Sequence, residues 1–270
     1  MRFETSEKEA CLMAVLNVTP DSFYDGGRYT EAGETLQRIR QISEAGADIL
    51  DIGGVSTRPG AAEVSEAEER RRVLPVLKQI RESGVKLPVS IDSFRSSVVE
   101  AACEHGIQVV NDVTALEADP ELAELVADND LQLVLMHMQG RPQTMQENPT
   151  YDDVIEDIAV FFEEKIEFAI KQGVREKQLI LDPGIGFGKR LEHNRRLLTE
   201  VGKFKRFGLP LLIGHSRKSY LGDLLDRPVE ERLPGTLASS AQLIQKGVDI
   251  LRVHDVKAHR DFLDVWNWLD

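Results

Sequence analysis

The sequence predicts an α/β protein folded as one (β/α)8 TIM barrel, and three observations predict it. Short runs rich in Val, Ile and Leu recur from end to end, at residues 12–17, 49–53, 89–92, 108–113, 131–137, 178–182, 211–214 and 250–254. Each run is nearly continuous in apolar character, as a strand of a parallel sheet is when both its faces are covered. Helix-period segments separate the runs, and eight strand–helix units in 270 residues match the composition of such a barrel. A doubly wound open sheet is the competing arrangement. It uses fewer strands and a linker or second domain, and the chain has no linker, no low-complexity tract and no repeat beyond the βα alternation. Residues 1–270 are expected to form one domain.

The first run ends at Asn17, and the helix after it closes at Gly46, just before the second run. Ser65 and Glu68 stand at capping-box spacing, and Val73, Leu77 and Ile80 follow at i, i+4 and i+7. That helix exits at Gly84, and the next one at Gly106. Asp119-Pro120 reads as an N-cap followed by proline at the first helical position. Val154, Ile158, Phe161, Phe162, Ile166 and Ile170 form one apolar stripe on a long amphipathic helix that leaves through Gly173. Gly208 and Gly247 precede the last two runs. A glycine at each exit is expected to take the left-handed conformation that ends a helix.

Composition narrows the function classes. With 41% hydrophobic and 29% charged residues the chain is an ordinary globular protein, not a disordered one. A net charge of −13 argues against nucleic acid or an anionic membrane as partner, since both want a basic face. No apolar run approaches the ~20 residues of a membrane span. Residues 1–9 mix acids and bases without an apolar stretch, so no export signal is read and a cytoplasmic location is expected. Cys11 and Cys103 are too far apart for a CxxC motif and are expected to be small buried hydrophobes.

In a barrel of this kind the C-terminal strand ends build the site. The first strand ends at Asn17, followed by Thr19-Pro20-Asp21-Ser22-Phe23. The second holds Asp51 and runs into Gly53-Gly54-Val55-Ser56-Thr57-Arg58-Pro59-Gly60. The next strands end at Asp92-Ser93, Asn111-Asp112, His137 and Asp182-Pro183-Gly184. The seventh leads into Gly214-His215-Ser216-Arg217-Lys218-Ser219, and the eighth holds Arg252 and His254-Asp255. One such residue alone reads as a cap or a turn. Polar groups from all eight strands at one rim read as a site. Carboxylates at Asp92 and Asp182 beside the Asn111 carboxamide suit a neutral heterocycle with several N–H donors, because a carboxylate accepts two parallel hydrogen bonds. Arg58, Arg217, Lys218, Arg252 and His254 concentrate donors in an acidic chain, which suggests a phosphate or carboxylate substrate in a focused positive pocket.

Other motifs fail on inspection. Gly184-Ile185-Gly186-Phe187-Gly188-Lys189 lacks both the first glycine and the hydroxyl residue of a P-loop, and GxGxxG needs glycine at 189. Gly214-His215-Ser216-Arg217-Lys218 lacks the second glycine of a nucleophile elbow. His254 and His259 are five apart and no HExxH exists, which argues against zinc. His137 on its own reads as a satisfied core or rim histidine, and Met136 and Met138 as packing residues.

Leu16-Asn17-Val18-Thr19-Pro20-Asp21-Ser22-Phe23 and Ser56-Thr57-Arg58-Pro59-Gly60 resemble the two loop signatures of the dihydropteroate synthase family. So do the segment from Leu181 to Lys189, Ser216-Arg217-Lys218-Ser219 and Arg252-Val253-His254-Asp255, in order, with Asp92 and Asn111 between. The resemblance implies condensation of 6-hydroxymethyl-7,8-dihydropterin pyrophosphate with p-aminobenzoate, giving 7,8-dihydropteroate and pyrophosphate in folate biosynthesis. It implies that Asp92, Asn111, Asp182 and Lys218 hold the pterin, that Thr57, Arg58, Arg252 and His254 contact the pyrophosphate, and that Asn17 binds Mg2+. Phe23, Pro59, Phe187, Lys218 and Ser219 would shape the p-aminobenzoate pocket, and late helices would form a homodimer. Asp92, Lys218, Arg252 and His254 are the expected catalytic residues of an SN1-like displacement. In one departure, Val55 stands where the family often carries glutamate.

Two rivals share the barrel. A pterin-dependent methyltransferase uses the same Asp/Asn/Asp pocket but has no use for a pyrophosphate clamp or for Thr57-Arg58-Pro59-Gly60. A non-catalytic pterin-binding paralogue would have lost loop residues, whereas Asn17, Thr57, Arg58, Lys218 and Arg252 are all present.

Overall fold

The computed structural model describes residues 10–18, 31–56, 63–141 and 144–269. Strands β1 (Cys11–Asn17), β2 (Ile49–Gly53), β3 (Val89–Asp92), β4 (Val109–Asp112), β5 (Gln132–Met136), β6 (Leu179–Asp182), β7 (Leu212–Ile213) and β8 (Ile250–Val253) form one all-parallel sheet. Its order is β6-β5-β4-β3-β2-β1-β8-β7. A single bridge between Leu181 and Leu211 joins the two ends, where the Leu181 amide donates to the Pro210 carbonyl at 2.9 Å. The sheet is therefore a nearly closed barrel, as expected.

Nine helices cover it among the described residues: α1 (Glu31–Glu44), α2 (Glu66–Ser83), α3 (Ser96–Cys103), α4 (Leu122–Asp128), α5 (Val154–Lys171), α6 (Leu191–Glu200), α7 (Ser219–Leu225), α8 (Leu233–Gln245) and α9 (Val256–Leu269). The extra one arises because two helices, α7 and α8, follow β7. None is long and apolar enough to cross a membrane.

Strand side chains alternate between two apolar environments. One set, including Leu12, Leu50, Ile91, Val110, Leu133 and Leu181, packs outward against the helices. The other set packs inward: Met13, Ile49, Val109, Val134, Ile180, Leu212 and Ile250 form a separate buried cluster that plugs the barrel. The residue two positions on along each strand points to the same side as its plug residue. Those residues are Asp51, Asn111, Asp182 and Arg252, with Val15, Met136 and Gly214 filling the other strands. A polar layer thus sits directly above an apolar floor.

Helix boundaries follow local chemistry. All six exit glycines, at 46, 84, 106, 173, 208 and 247, have φ between +67° and +95°. Ser65 caps α2 by accepting from the Glu68 amide at 3.3 Å, but the other half of the capping box is absent. The Glu68 carboxylate instead accepts from Arg71 and Arg72, each at 2.7 Å, and those bonds pull its pKa down to about 2. Asp119 does not cap the helix that follows it. α4 starts at Leu122 without a side-chain cap, and the Asp119 carboxylate accepts from the Ser96 amide at 2.7 Å, at the start of α3. On α5, Val154, Ile158 and Phe162 are buried, whereas Ile170 is exposed because Ala169, seven residues after Phe162, takes the core-facing position of the last turn. Cys11 and Cys103 are partly, not fully, buried.

Candidate active site

Four strands contribute one hydrogen-bonded network to the polar layer. Register places Gly53 beside Asp92, and Asp92 beside Asn111. Arg252 on β8 donates from Nε to Asp51 Oδ2 at 2.7 Å and from Nη2 to Asp92 Oδ2 at 2.8 Å. Asn111 Nδ2 donates to the same Asp51 oxygen at 3.0 Å. Burial pushes Asp92 up to about 7, outweighing the Arg252 guanidinium, and the negative charge of Asp51 adds to the rise. Burial also raises Asp182, against the Gly184 amide that donates to it at 2.7 Å and the nearby Lys218 and Arg252 charges.

The loop after β6 builds the next wall. Gly184 and Gly188 have φ of +67° and +60°, and a Cβ would lie 2.0 Å from the His137 carbonyl and 2.4 Å from that of Gln139. Both positions admit only glycine, for conformation and for space. The loop is pinned by Lys189, a buried lysine that has no carboxylate partner in a salt bridge among the described residues. Its Nζ contacts His137 Nδ1 at 3.0 Å and donates to the Phe187 carbonyl at 2.9 Å and the His137 carbonyl at 3.4 Å. Burial holds the pKa of both Lys189 and His137 well down. His137 thus supports the loop, in keeping with a buried rim histidine. Lys218, leading into α7, donates to the Ile185 carbonyl and lies 4.0 Å from the Phe187 ring centroid, a cation–π contact. Desolvation at this position pushes its ammonium down to about 7, against the pull of Asp182 and Asp92.

At the eighth strand, the exposed His254 approaches Ser216 Oγ through Nδ1 at 3.1 Å, and its amide donates to the same oxygen at 3.3 Å. Asn17 ends β1 on the inner side, half-buried. Ser219 opens α7 and is exposed.

The structure therefore brings together Asp92, Asn111, Asp182, Lys218 and Arg252, with Phe187 against Lys218. Phe23, Thr57, Arg58 and Pro59 lie outside the described residues. Arg217 does not join the site: its guanidinium grips Asp255 with two bonds of 2.7 Å and holds φ at +56°. Asp112 turns away too, accepting from the Thr114 and Leu116 amides to fold the turn after β4. Of the donors expected to form a focused positive pocket, Arg252 stands between two carboxylates, Asp51 and Asp92. Asp51 is the residue whose importance sequence reasoning missed. Its signal was its place, two residues before Gly53 on the inward face of β2.

An eight-stranded parallel barrel with acceptor groups over an apolar floor, and cations at the rim, has the layout of an enzyme that grips a planar, donor-rich heterocycle. A family model described as pterin binding enzyme matches residues 13–254, and the chain belongs to that family. The dihydropteroate synthase of Haemophilus influenzae is 42% identical over 255 residues, covering 94% of this chain and 92% of that protein. A dihydropteroate synthase from Clostridium difficile, solved in the presence of pteroic acid, aligns with TM-score 0.91 at 39% identity over 97% of each chain. The Xanthomonas albilineans enzyme solved with 4-aminobenzoic acid aligns with TM-score 0.90 at 41% identity, over 96% of this chain and 93% of that one.

Proposed function

We propose that the barrel mouth joins 6-hydroxymethyl-7,8-dihydropterin pyrophosphate to p-aminobenzoate, the dihydropteroate synthase reaction. The observation that carries this reading is the set Asp92, Asn111 and Asp182 over the apolar plug, with Arg252 and Lys218 beside it. The carboxylates accept from the donor edge of the pterin, Asn111 complements both kinds of group, and Lys218 donates to a ring acceptor. Arg252 and His254 take the pyrophosphate, a role the resemblance also gives to Thr57 and Arg58. Arg252 uses two of an arginine's five N–H groups on Asp51 and Asp92, and its Nη1 makes no hydrogen bond among the described residues.

The C–O bond to pyrophosphate breaks first, its electron pair leaving with the pyrophosphate and the positive charge spreading over the pterin. Asp92 and Asp182 stabilise that cation electrostatically. The arylamine nitrogen then forms the C–N bond and releases a proton to solvent. Phe187 and Ser219 line the p-aminobenzoate side, a role the resemblance also gives to Phe23 and Pro59. Asn17 fits a magnesium ion that arrives with the substrate: its carboxamide makes no hydrogen bond among the described residues, and Mg2+ takes few protein oxygens alongside phosphate and water. When bound there, the ion would neutralise the leaving pyrophosphate.

Incubation with the pterin pyrophosphate, p-aminobenzoate and Mg2+ tests the reading. Dihydropteroate and pyrophosphate should form together. Pyrophosphate release without dihydropteroate, even with p-aminobenzoate present, would mean hydrolysis and overturn it. A homodimer through the late helices is also proposed, because α7 and α9 with their flanks expose Leu224, Leu225, Val229, Val265 and Trp268. Sedimentation of the wild type against Trp268→Glu reads that claim directly.

A further inference from the structure

Asp51 is wholly buried on a central strand, and it is tied to two residues assigned above to opposite ends of the substrate. One oxygen, Oδ2, accepts both from Arg252 on the pyrophosphate side and from Asn111 on the ring side. The other oxygen, Oδ1, is buried and has no hydrogen-bond partner among the described residues. A buried carboxylate with one idle oxygen is a poor way to stabilise a barrel, since desolvation offsets much of the pairing. Its geometry is better matched to orientation. Nε and Nη2 of one guanidinium reach Asp51 and Asp92 respectively, so two carboxylates fix the plane of Arg252.

We propose that Asp51 is a positioning residue, holding the Arg252 guanidinium and the Asn111 carboxamide in fixed relation so that the pyrophosphate and the pterin ring are gripped as one rigid unit. The inference rests on the function proposed above. It does not require Asp51 to touch the substrate, and Asp51 is not assigned a chemical step.

Asp51→Asn keeps the shape and removes the charge. With both substrates saturating, kcat should fall about 10- to 100-fold, the scale of a misplaced clamp, while KM for p-aminobenzoate stays near its wild-type value. The acid limb of the pH profile should also move to lower pH. Asp92 feels the charges of Arg252, Asp51, Glu69 and Asp112, and losing one negative neighbour favours its ionised form. A purely structural role would lower the thermal midpoint without moving that limb.

Arg252→Lys provides a second arm that does not depend on the folding of the first variant. It keeps the positive charge but cannot span both carboxylates in one plane, so it should lose turnover to a similar degree. Near-wild-type turnover of Arg252→Lys, or an unmoved pH limb in folded Asp51→Asn, would overturn the proposal. Calorimetry with pteroic acid separates this claim from the reaction itself. If wild-type protein makes no dihydropteroate, the proposed reaction falls. Asp51→Asn must still weaken pteroic acid through Asn111, and equal binding by wild type and variant would sink the role of Asp51.

Discussion

Burial drives Asp92 and Lys218 toward the same pKa from opposite directions, up to about 7 for the acid and down to about 7 for the amine. If the pterin needs the carboxylate and the ammonium together, kcat/KM for the pterin substrate should trace a narrow bell centred near pH 7. Activity falls below 7 as Asp92 takes a proton, and above 7 as Lys218 loses one. The same shifts act on stability with opposite signs. Between pH 4 and 7 native Asp92 keeps a proton that the unfolded chain has released, so its contribution to stability falls as pH rises. Between 7 and 10.5 the unfolded chain holds the Lys218 proton that the native state has lost, so that contribution rises with pH. Thermal midpoints of wild type against Asp92→Asn should show the lower arm flattened in the variant. Asp182 makes the companion test. Asp182→Asn turns one acceptor into a donor facing the donors of the heterocycle, and losing a charge-assisted pair costs about 1.5–3 kcal/mol, or ~10- to 100-fold in pterin affinity. Unchanged affinity by calorimetry would remove Asp182 from the site.

The β6 loop is an element whose shape comes from contacts on both sides. Gly184 and Gly188 let it pass against the His137 and Gln139 carbonyls, and Lys189 ties Phe187. Lys189→Met keeps the aliphatic stem but leaves the two carbonyls without their donor, at about 1–3 kcal/mol for each unsatisfied group. The loop should loosen, and p-aminobenzoate affinity should fall while pterin affinity, carried by the strand ends, holds. Equal losses for both ligands would show that the loop is not a separate wall. How far such elements were legible depends on the range of their contacts. The six exit glycines were legible because a helix end is decided by one residue's backbone. Asp119 was not, because its partner Ser96 lies in the preceding βα unit. The strand-end residues Asp92, Asn111 and Asp182 were legible from position alone. The role of Asp51 was not, because its partners stand 60 and 201 positions away, and no spacing rule reaches that far.

At the scale of the whole barrel, closure is uneven. β1 and β2 pair over five residues, whereas β6 and β7 meet through one bridge and β7 itself is two residues long. On its other side β7 is tied to the start of β8, where Asp249 accepts from the Leu211 amide at 2.7 Å and from Lys205 at 2.7 Å. Few backbone bonds across a seam mean a low free energy of local opening there. The seam also runs beneath the site, with Asp182 and the Phe187 loop on one side and Lys218 on the other. The Lys218 bond to the Ile185 carbonyl already crosses it. A pterin held by both Asp182 and Lys218 would bridge the seam and close the barrel further, and a ligand that binds only the closed form stabilises it by mass action. Amide hydrogen exchange reads this directly. Without ligand, the Leu181 and Leu212 amides, which belong to the bridge between β6 and β7, should exchange faster than those of Leu50 and Ile91. Saturating pteroic acid should slow the seam amides by a larger factor than the others. Protection spread evenly around the barrel, or confined to loops, would mean that the pterin binds a barrel already closed and that the gap between β6 and β7 plays no part in holding it.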